Sequence, residues 1–223
     1  MLGPSGSSAE VIDCHQHLYS PESGARPPGA KGIDAEFLIN QLDAPGMARA
    51  VVLSGAYSFS SPNKQPVPNE YAHVMAENNW TSAQVAKYPD RLLGFCSVNP
   101  LKSYAAEEIA RCAEDPNLRT GLKVHFGNSD VNLDNPEDLA RVRGVFRPAN
   151  QHRMAITVHL HANIDHHRSY GAKEARSFLS QVLPEAPGVT VQIAHLAGAG
   201  AMMTGPTKPY QYSLKQLSGK ILG

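Results

Sequence analysis

The sequence lacks the features that mark membrane, secreted or nucleic-acid-binding proteins. Lys and Arg together number 20, as do Asp and Glu, so the formal net charge is zero and no basic surface is expected. No apolar run reaches the ~20 residues that cross a bilayer, and the start, MLGPSGSSAE, has neither the basic nor the apolar region of a signal peptide. We therefore expect a cytoplasmic protein that acts on a small-molecule substrate, with neither nucleic acid nor membrane as partner.

Cysteine is also scarce, with Cys14, Cys96 and Cys112 as the only three in the chain. Their odd number and long spacings predict neither a disulfide framework nor a Cys-x-x-Cys zinc site, and they favour a reducing compartment. In a regular strand Cys14 would point away from the histidines on either side of it, so we expect it to pack in the core.

What the sequence does contain is an alternation of strand-like and helix-like segments, which is typical of βαβ units with a parallel sheet. The strand candidates are VIDCHQH (11–17), RAVVLSGAY (49–57), LLGFCSVNP (92–100), GLKVHFG (121–127), MAITVHLHA (154–162) and VTVQIAHLA (189–197). A closed barrel of this kind has eight βα units over ~250 residues. The sequence therefore predicts an α/β fold, a TIM-type (β/α) barrel that is incomplete, with about six of eight units.

The same pattern suggests the organisation of the chain. Residues 1–10 are expected to be a flexible N-terminus and residues 11–200 a partial barrel. The last stretch, 201–223, contains no convincing strand and is interpreted as a separate C-terminal tail. The first and last strands of such a sheet would be open edges, so a homo-oligomer is an alternative to a monomer.

Histidines recur near the C-terminal ends of four candidate strands: His15, His17, His125, His159, His161 and His195. In a parallel barrel these strand ends meet at one pocket, so distant residues could surround a single ion. Imidazole binds divalent ions such as Zn²⁺, and a catalytic site keeps one position open for water. One His-x-His pair is a weak signal, but its repetition on successive strands predicts a metal site.

Five stretches together resemble one family. The pattern Asp13-x-His15-x-His17, with WTSAQVAKYPDRLLGFCSVNP (80–100), GLKVHF (121–126), TVHLHAN (157–163) and VQIAHLAG (191–198), is similar to the amidohydrolase superfamily. Its amidohydrolase-related branch, which includes aminocarboxymuconate-semialdehyde decarboxylase, is the specific resemblance. It extends from about residue 11 to about residue 200.

The resemblance implies roles for individual residues. His15, His17 and His159 match metal ligands, with zinc as the default divalent metal, and His195 matches a catalytic acid/base. We expect Asp13 to orient a ligand imidazole. Lys123 and His125 are expected to contact substrate, and His161 is assigned to the same wall, with a polar residue at the barrel rim as its alternative.

One element of the family pattern is missing, namely the aspartate at the end of an eighth strand. From residue 196 to the end the chain has neither Asp nor Glu, so the resemblance is to a C-terminally truncated member. The expected function is a metal-dependent hydrolase in which metal-bound hydroxide attacks an ester, lactone or amide carbonyl. The alternatives are a non-oxidative decarboxylase on the same scaffold and a catalytically silent fragment.

Overall fold

A computed structural model describes residues 10–23, 31–161 and 171–197. Six parallel strands form one sheet in which every strand pairs with its neighbours in chain order. The strands are β1 (Ile12–Gln16), β2 (Arg49–Leu53), β3 (Leu92–Ser97), β4 (Gly121–His125), β5 (Ala155–His159) and β6 (Val191–Ile193). The predicted incomplete (β/α) barrel with six strands is therefore confirmed.

Helices connect these strands as the sequence pattern predicts. They are α1 (Ala35–Asp43), α2 (Glu70–Val85), α3 (Ala105–Glu114), the short α4 (Phe126–Ser129), α5 (Pro136–Gln151) and α6 (Ala172–Ser177). One π-turn, Phe178–Val182, extends α6, and 3₁₀ turns follow β2 and β6 at Ala56–Ser60 and Ala194–Ala197. In the described part of the chain no helix has the length and apolarity needed to cross a membrane.

Two helices begin at a side-chain cap. The Asp34 carboxylate accepts a hydrogen bond from the Phe37 amide at 2.9 Å and so begins α1. The Asn135 side chain accepts from the Glu137 amide at 2.8 Å, and Pro136 follows as the first residue of α5. Both caps satisfy amides that have no partner within the helix.

The core lies between the sheet and the helices that cover it. The larger cluster joins β3, β4 and β5 to α3 and α5, and its fully buried members include Ile109, Leu122, Val124, Phe146 and Ile156. A smaller cluster joins β1 and β2 to α1, with Leu18, Leu42 and Val52 at its centre. Each such side chain contributes about 1.5–3 kcal/mol by leaving water, so the strand ends are set on a rigid base.

The strand β1 lies at an edge of the described sheet, and part of its surface is uncovered. The side chains of Val11 and Ile12 are 55% and 46% exposed, and the thiol-bearing Cys14 is exposed as well. The expectation that Cys14 packs in the core is therefore wrong. Cys14 is exposed because β1 is an edge strand and no described helix covers this part of it.

The other two cysteines form a disulfide, which the sequence analysis did not anticipate. Cys96 on β3 and Cys112 on α3 are bonded, with their Cα atoms 6.1 Å apart and both residues fully buried. A spacing of 16 residues carried no sign of this pairing, because the contact arises from α3 folding back onto β3. Of the proposed chain divisions, residues 1–9 and 198–223 lie outside the described residues, so the N-terminal and tail assignments stay predictions.

Candidate metal centre

The four histidines at the centre of the prediction lie together at one end of the sheet. The His15 ring centroid is 5.2 Å from that of His17 and 4.7 Å from that of His195. The His195 ring is in turn 5.1 Å from the ring of His159. Side chains from the first, fifth and sixth strands thus form one continuous cluster, because parallel strands present their C-terminal ends at a common edge.

His195 occupies an unusual backbone position. It lies in the 3₁₀ turn directly after β6 and has a φ of 53°, in the left-handed region that few residues other than glycine adopt. Asn, Asp and His tolerate this region better than most residues, and such conformations concentrate at functional sites. The turn brings the His195 ring back toward His15 and His159.

The orientation of His17 is set by the backbone of the neighbouring strand. Its Nδ1 lies 2.8 Å from the carbonyl oxygen of Leu53, at the end of β2. A carbonyl can only accept, so Nδ1 carries the proton and Nε2 keeps its lone pair. This arrangement, in which one ring nitrogen donates to a fixed acceptor, is the one usual for histidines that bind metals.

Lys123 lies close enough to this cluster for its charge to lower the pKa of all four imidazoles. It lies on β4, is 1% exposed, and its Nζ has no hydrogen-bond partner among the described residues. Burial lowers the pKa of Lys123 to about 7. A buried ammonium without a partner is costly. An anion bound next to the Lys123 Nζ would remove that cost, and no described side chain provides one.

The imidazoles are neutral around pH 7. Burial, followed by the positive charge of Lys123, lowers the pKa of His15 to about 4. The same two causes lower the pKa values of His17 and His159 to about 3 and that of His195 below its usual range. Neutral imidazole is the form that ligates a metal ion.

His125 and His161, expected to contact substrate, both lie beside His159. The rings of His125 and His159 are stacked with centroids 3.9 Å apart, and the His125 Nδ1 accepts a hydrogen bond from the Asn128 amide at 3.0 Å. His161 follows β5 and is partly exposed. It contributes to lowering the pKa of His159. His125 is therefore a fixed wall of the cluster, and His161 lies at its rim.

Asp13 holds the backbone of β1, and its charge favours the protonated form of the His15 imidazole. Its carboxylate accepts hydrogen bonds from the His15 amide at 2.9 Å and from the Gln16 side chain at 2.6 Å. The register of β1 against β2 shifts between Asp13, opposite Ala50, and Gln16, opposite Val52. The expected role of Asp13, to orient a ligand imidazole, stays a prediction.

The four imidazoles are donors that suit a divalent ion, although no three of their ring nitrogens lie within 4.8 Å of one another. Three or more neutral imidazoles suit Zn²⁺ and similar ions. Among the described residues, the only three potential ligand atoms within 4.8 Å of one another belong to Cys96, Glu108 and Cys112. Those sulfurs form the disulfide, and Glu108 already accepts from Arg111 and Asn78.

Two tyrosines of the site were missed by the sequence analysis. The Tyr19 ring is stacked on His17 with centroids 5.7 Å apart, and the Tyr57 ring lies 5.1 Å from that of His125. Tyr19 follows the His-x-His pair by two residues and so carried a local signal. Tyr57 lies in the turn after β2, where the sequence predicted the end of the strand RAVVLSGAY (49–57).

Comparison with known proteins identifies the family and the fold. The family model described as Amidohydrolase matches residues 12–211. The fold is similar to a probable 2-pyrone-4,6-dicarboxylic acid hydrolase from Acinetobacter baumannii with citric acid bound: 19% identity, TM-score 0.60, covering 93% of this chain and 66% of that one. It is also similar to 5-carboxyvanillate decarboxylase from Novosphingobium aromaticivorans, complexed with manganese and a nitrobenzoic acid: 14% identity, TM-score 0.64, coverage 96% and 71%.

A third similar structure is an amidohydrolase from Burkholderia multivorans with bound zinc, at 12% identity, TM-score 0.56 and coverage of 95% and 66%. The chain spans about two thirds of the length of these structures, with coverages of 66% to 71%. No curated protein matches the chain. The likenesses show the fold, and the match over 12–211 shows the family: the chain belongs to the amidohydrolase family.

Proposed function

We propose that this chain carries the metal-binding part of a hydrolase that cleaves an ester, lactone or amide in a carboxylate-bearing small molecule. The observation on which the proposal depends is the clustering of four histidines close to the buried Lys123, namely His15, His17, His159 and His195. No packing requirement explains four neutral imidazoles in one cluster, whereas a divalent ion does.

Within this proposal His15, His17 and His159 hold the ion, with zinc as the metal of choice. A bound divalent ion would supply Lewis-acid chemistry, polarising a carbonyl and lowering the pKa of water. The Leu53 carbonyl keeps the His17 Nε2 available, and Asp13 fixes the main chain of His15. His195, at the edge of the cluster and neutral around pH 7, is placed to accept a proton from the attacking water and to pass it to the departing oxygen or nitrogen.

Lys123 supplies the preference for an anionic substrate. Its Nζ is buried and without a partner in the described part of the chain, so a carboxylate at this position would gain a charge-assisted hydrogen bond that nothing else offers. His125 and His161 complete the wall against which the substrate would lie. The similar hydrolase from A. baumannii acts, by its name, on a dicarboxylic acid, which is consistent with this chemistry.

Non-oxidative decarboxylation is the second candidate, favoured by the similarity to 5-carboxyvanillate decarboxylase. It also requires a carboxylate bound beside a cation, so Lys123 serves both reactions. The described cluster contributes imidazoles and a lysine but no carboxylate from Asp13, which is engaged by the backbone. These imidazoles, neutral around pH 7, can accept a proton and pass it on, which both reactions need.

The experiment separates the two reactions and the inactive alternative. Purified protein is stripped with a chelator, reloaded with Zn²⁺ or Mn²⁺, and assayed for lactone and ester hydrolysis and for carbon dioxide release from hydroxybenzoates. We expect metal-dependent turnover that is lost in His159→Ala and retained in the exposed-histidine control His152→Ala. Metal binding without turnover on any substrate would favour the silent alternative, and metal binding unaffected by His159→Ala would overturn the proposal.

A further inference from the structure

The turn after β2 brings a tyrosine to the wall of the cluster. Tyr57 is 6% exposed and its ring lies 5.1 Å from His125, which is itself stacked on His159 at 3.9 Å. Tyr57 is thus separated from a proposed metal ligand by a single ring. Among the described residues none accepts a hydrogen bond from the Tyr57 hydroxyl.

Buried polar groups hold this turn in place. The Tyr57 amide donates to the Ser97 hydroxyl at 3.0 Å. The backbone of Ser97 is held on both sides by Asn78, whose carbonyl oxygen accepts from the Ser97 amide and whose amide donates to the Ser97 carbonyl, each at 3.1 Å. Asn78 and Ser97 are fully buried. Fully satisfied networks of this kind rigidify the segment that they hold, as binding sites require.

A second tyrosine lies next to Tyr57 and depends on a glycine. The Tyr19 backbone pairs with Ile33 through hydrogen bonds of 3.1 and 2.8 Å, and its ring is stacked on His17. A Cβ on Gly55 would lie 3.0 Å from the Tyr19 ring, so the glycine leaves space for that ring. Tyr19 is close enough to Tyr57 for its charge to contribute to raising the Tyr57 pKa.

We propose that Tyr57 determines substrate specificity: its hydroxyl donates a hydrogen bond to an oxygen substituent of a ligand whose flat face lies along His125 and Tyr19. This inference rests on the proposed function, because it takes the same cluster as the binding site. The Tyr57 backbone is held in place and its hydroxyl has no acceptor among the described residues, so the hydroxyl can donate to a ligand. The aromatic rings of His125 and Tyr19 beside it favour a planar ligand.

The test uses the zinc-loaded protein and four probes: benzoate and its 2-, 3- and 4-hydroxy derivatives. Affinities are measured by calorimetry for the wild type, Tyr57→Phe, and the control Tyr88→Phe, which removes a hydroxyl from a tyrosine packed near α1. We expect one hydroxybenzoate to bind the wild type and the control about three- to tenfold more tightly than benzoate, the range of one neutral hydrogen bond. Tyr57→Phe should reduce this preference to less than about twofold and leave benzoate affinity unchanged.

The preference persisting in Tyr57→Phe would overturn the inference, as would an equal loss of affinity for benzoate, or wild-type protein that distinguishes none of the probes. Chelation of zinc by 2-hydroxybenzoate would give the first of these results. Zinc content and thermal midpoint are measured on every variant. Failure of the proposed function appears as zinc binding that does not depend on His159, whereas failure of this inference leaves that dependence intact.

Discussion

The imidazole rings of His15 and His195 lie 4.7 Å apart, although the residues come from opposite edges of the described sheet. The sheet must therefore curve until the ends of its first and last strands approach each other. This curvature turns six strand ends into one site, and it makes the site sensitive to groups at both edges.

Replacing one histidine of the cluster should weaken metal binding. Loss of an outer partner of a ligand costs about 10–100-fold in affinity, and we expect His17→Ala to cost at least as much. Titration with Zn²⁺ against a competing chelator measures the dissociation constant. His152→Ala, an exposed histidine at the end of α5, is the matched control and should bind as the wild type does. Equal affinities for both variants would contradict the assignment.

Lys123→Met should stabilise the metal-free protein while weakening carboxylate binding. The substitution keeps the length of a fully buried side chain and removes an ammonium without a partner, so a gain of about 1 kcal/mol or more is expected. Urea unfolding measures the stability, and calorimetry with benzoate measures the binding. A destabilised variant that binds benzoate normally would show that Lys123 serves the fold and not the ligand.

The gain in stability from Lys123→Met should depend on pH. The pKa of Lys123 is lowered from 10.5 to about 7 by burial, so between these values the unfolded chain holds a proton that the folded chain has released. Wild-type stability therefore rises with pH across this interval. The cost of burying the charged Lys123 ammonium is largest below about pH 7. The difference between Lys123→Met and the wild type should shrink as pH increases from 6 to 9 in metal-free protein. A difference independent of pH would contradict this account.

Two glycine substitutions should have opposite effects. A Cβ at Gly121 on β4 would lie 2.3 Å from the Phe95 ring, whereas at Gly144 in α5 it would meet nothing within 4 Å. We expect Gly121→Ala to lose about 1–3 kcal/mol through overpacking and Gly144→Ala to gain up to ~1 kcal/mol through helix propensity. Urea unfolding of both variants tests this; similar stabilities would indicate that the Phe95 ring moves aside freely.

The Cys96–Cys112 disulfide should contribute measurably to stability. It closes a loop of 16 residues, for which chain entropy in the unfolded state predicts about 3 kcal/mol. Cys96→Ala with Cys112→Ala should lower stability by a similar amount, and added dithiothreitol should destabilise the wild type but not the double variant. Reductant having the same effect on both proteins would show that the bond does not form in solution.

The sequence predicted much of the fold because its signals are local. All six strands lie within the predicted apolar runs, and Asp34 and Asn135 cap their helices with residue types that are common at that position. The clustering of His15, His159 and His195 followed from one long-range rule, that parallel strands end at a common edge. That rule needs only strand identities and not the details of packing.

What the sequence could not predict depends on contacts between distant segments. The Cys96–Cys112 bond and the Leu53 carbonyl on His17 appear only when neighbouring elements are packed together. The register shift after Asp13 breaks an alternation that the residue types alone would continue. Tyr57 was predicted to end the second strand and not to reach the site, because its place beside His125 is set by the turn Ala56–Ser60 and by Ser97.

The hydrogen bond from His17 to Leu53 has a consequence for how this site could change over generations. Its acceptor is a peptide carbonyl, which every amino acid at position 53 would provide. The tautomer of His17 is thus determined by the pairing of β1 with β2 and not by the identity of any one side chain. Side chains around it can drift without disturbing it, and only a slip of β2 against its neighbours would undo it.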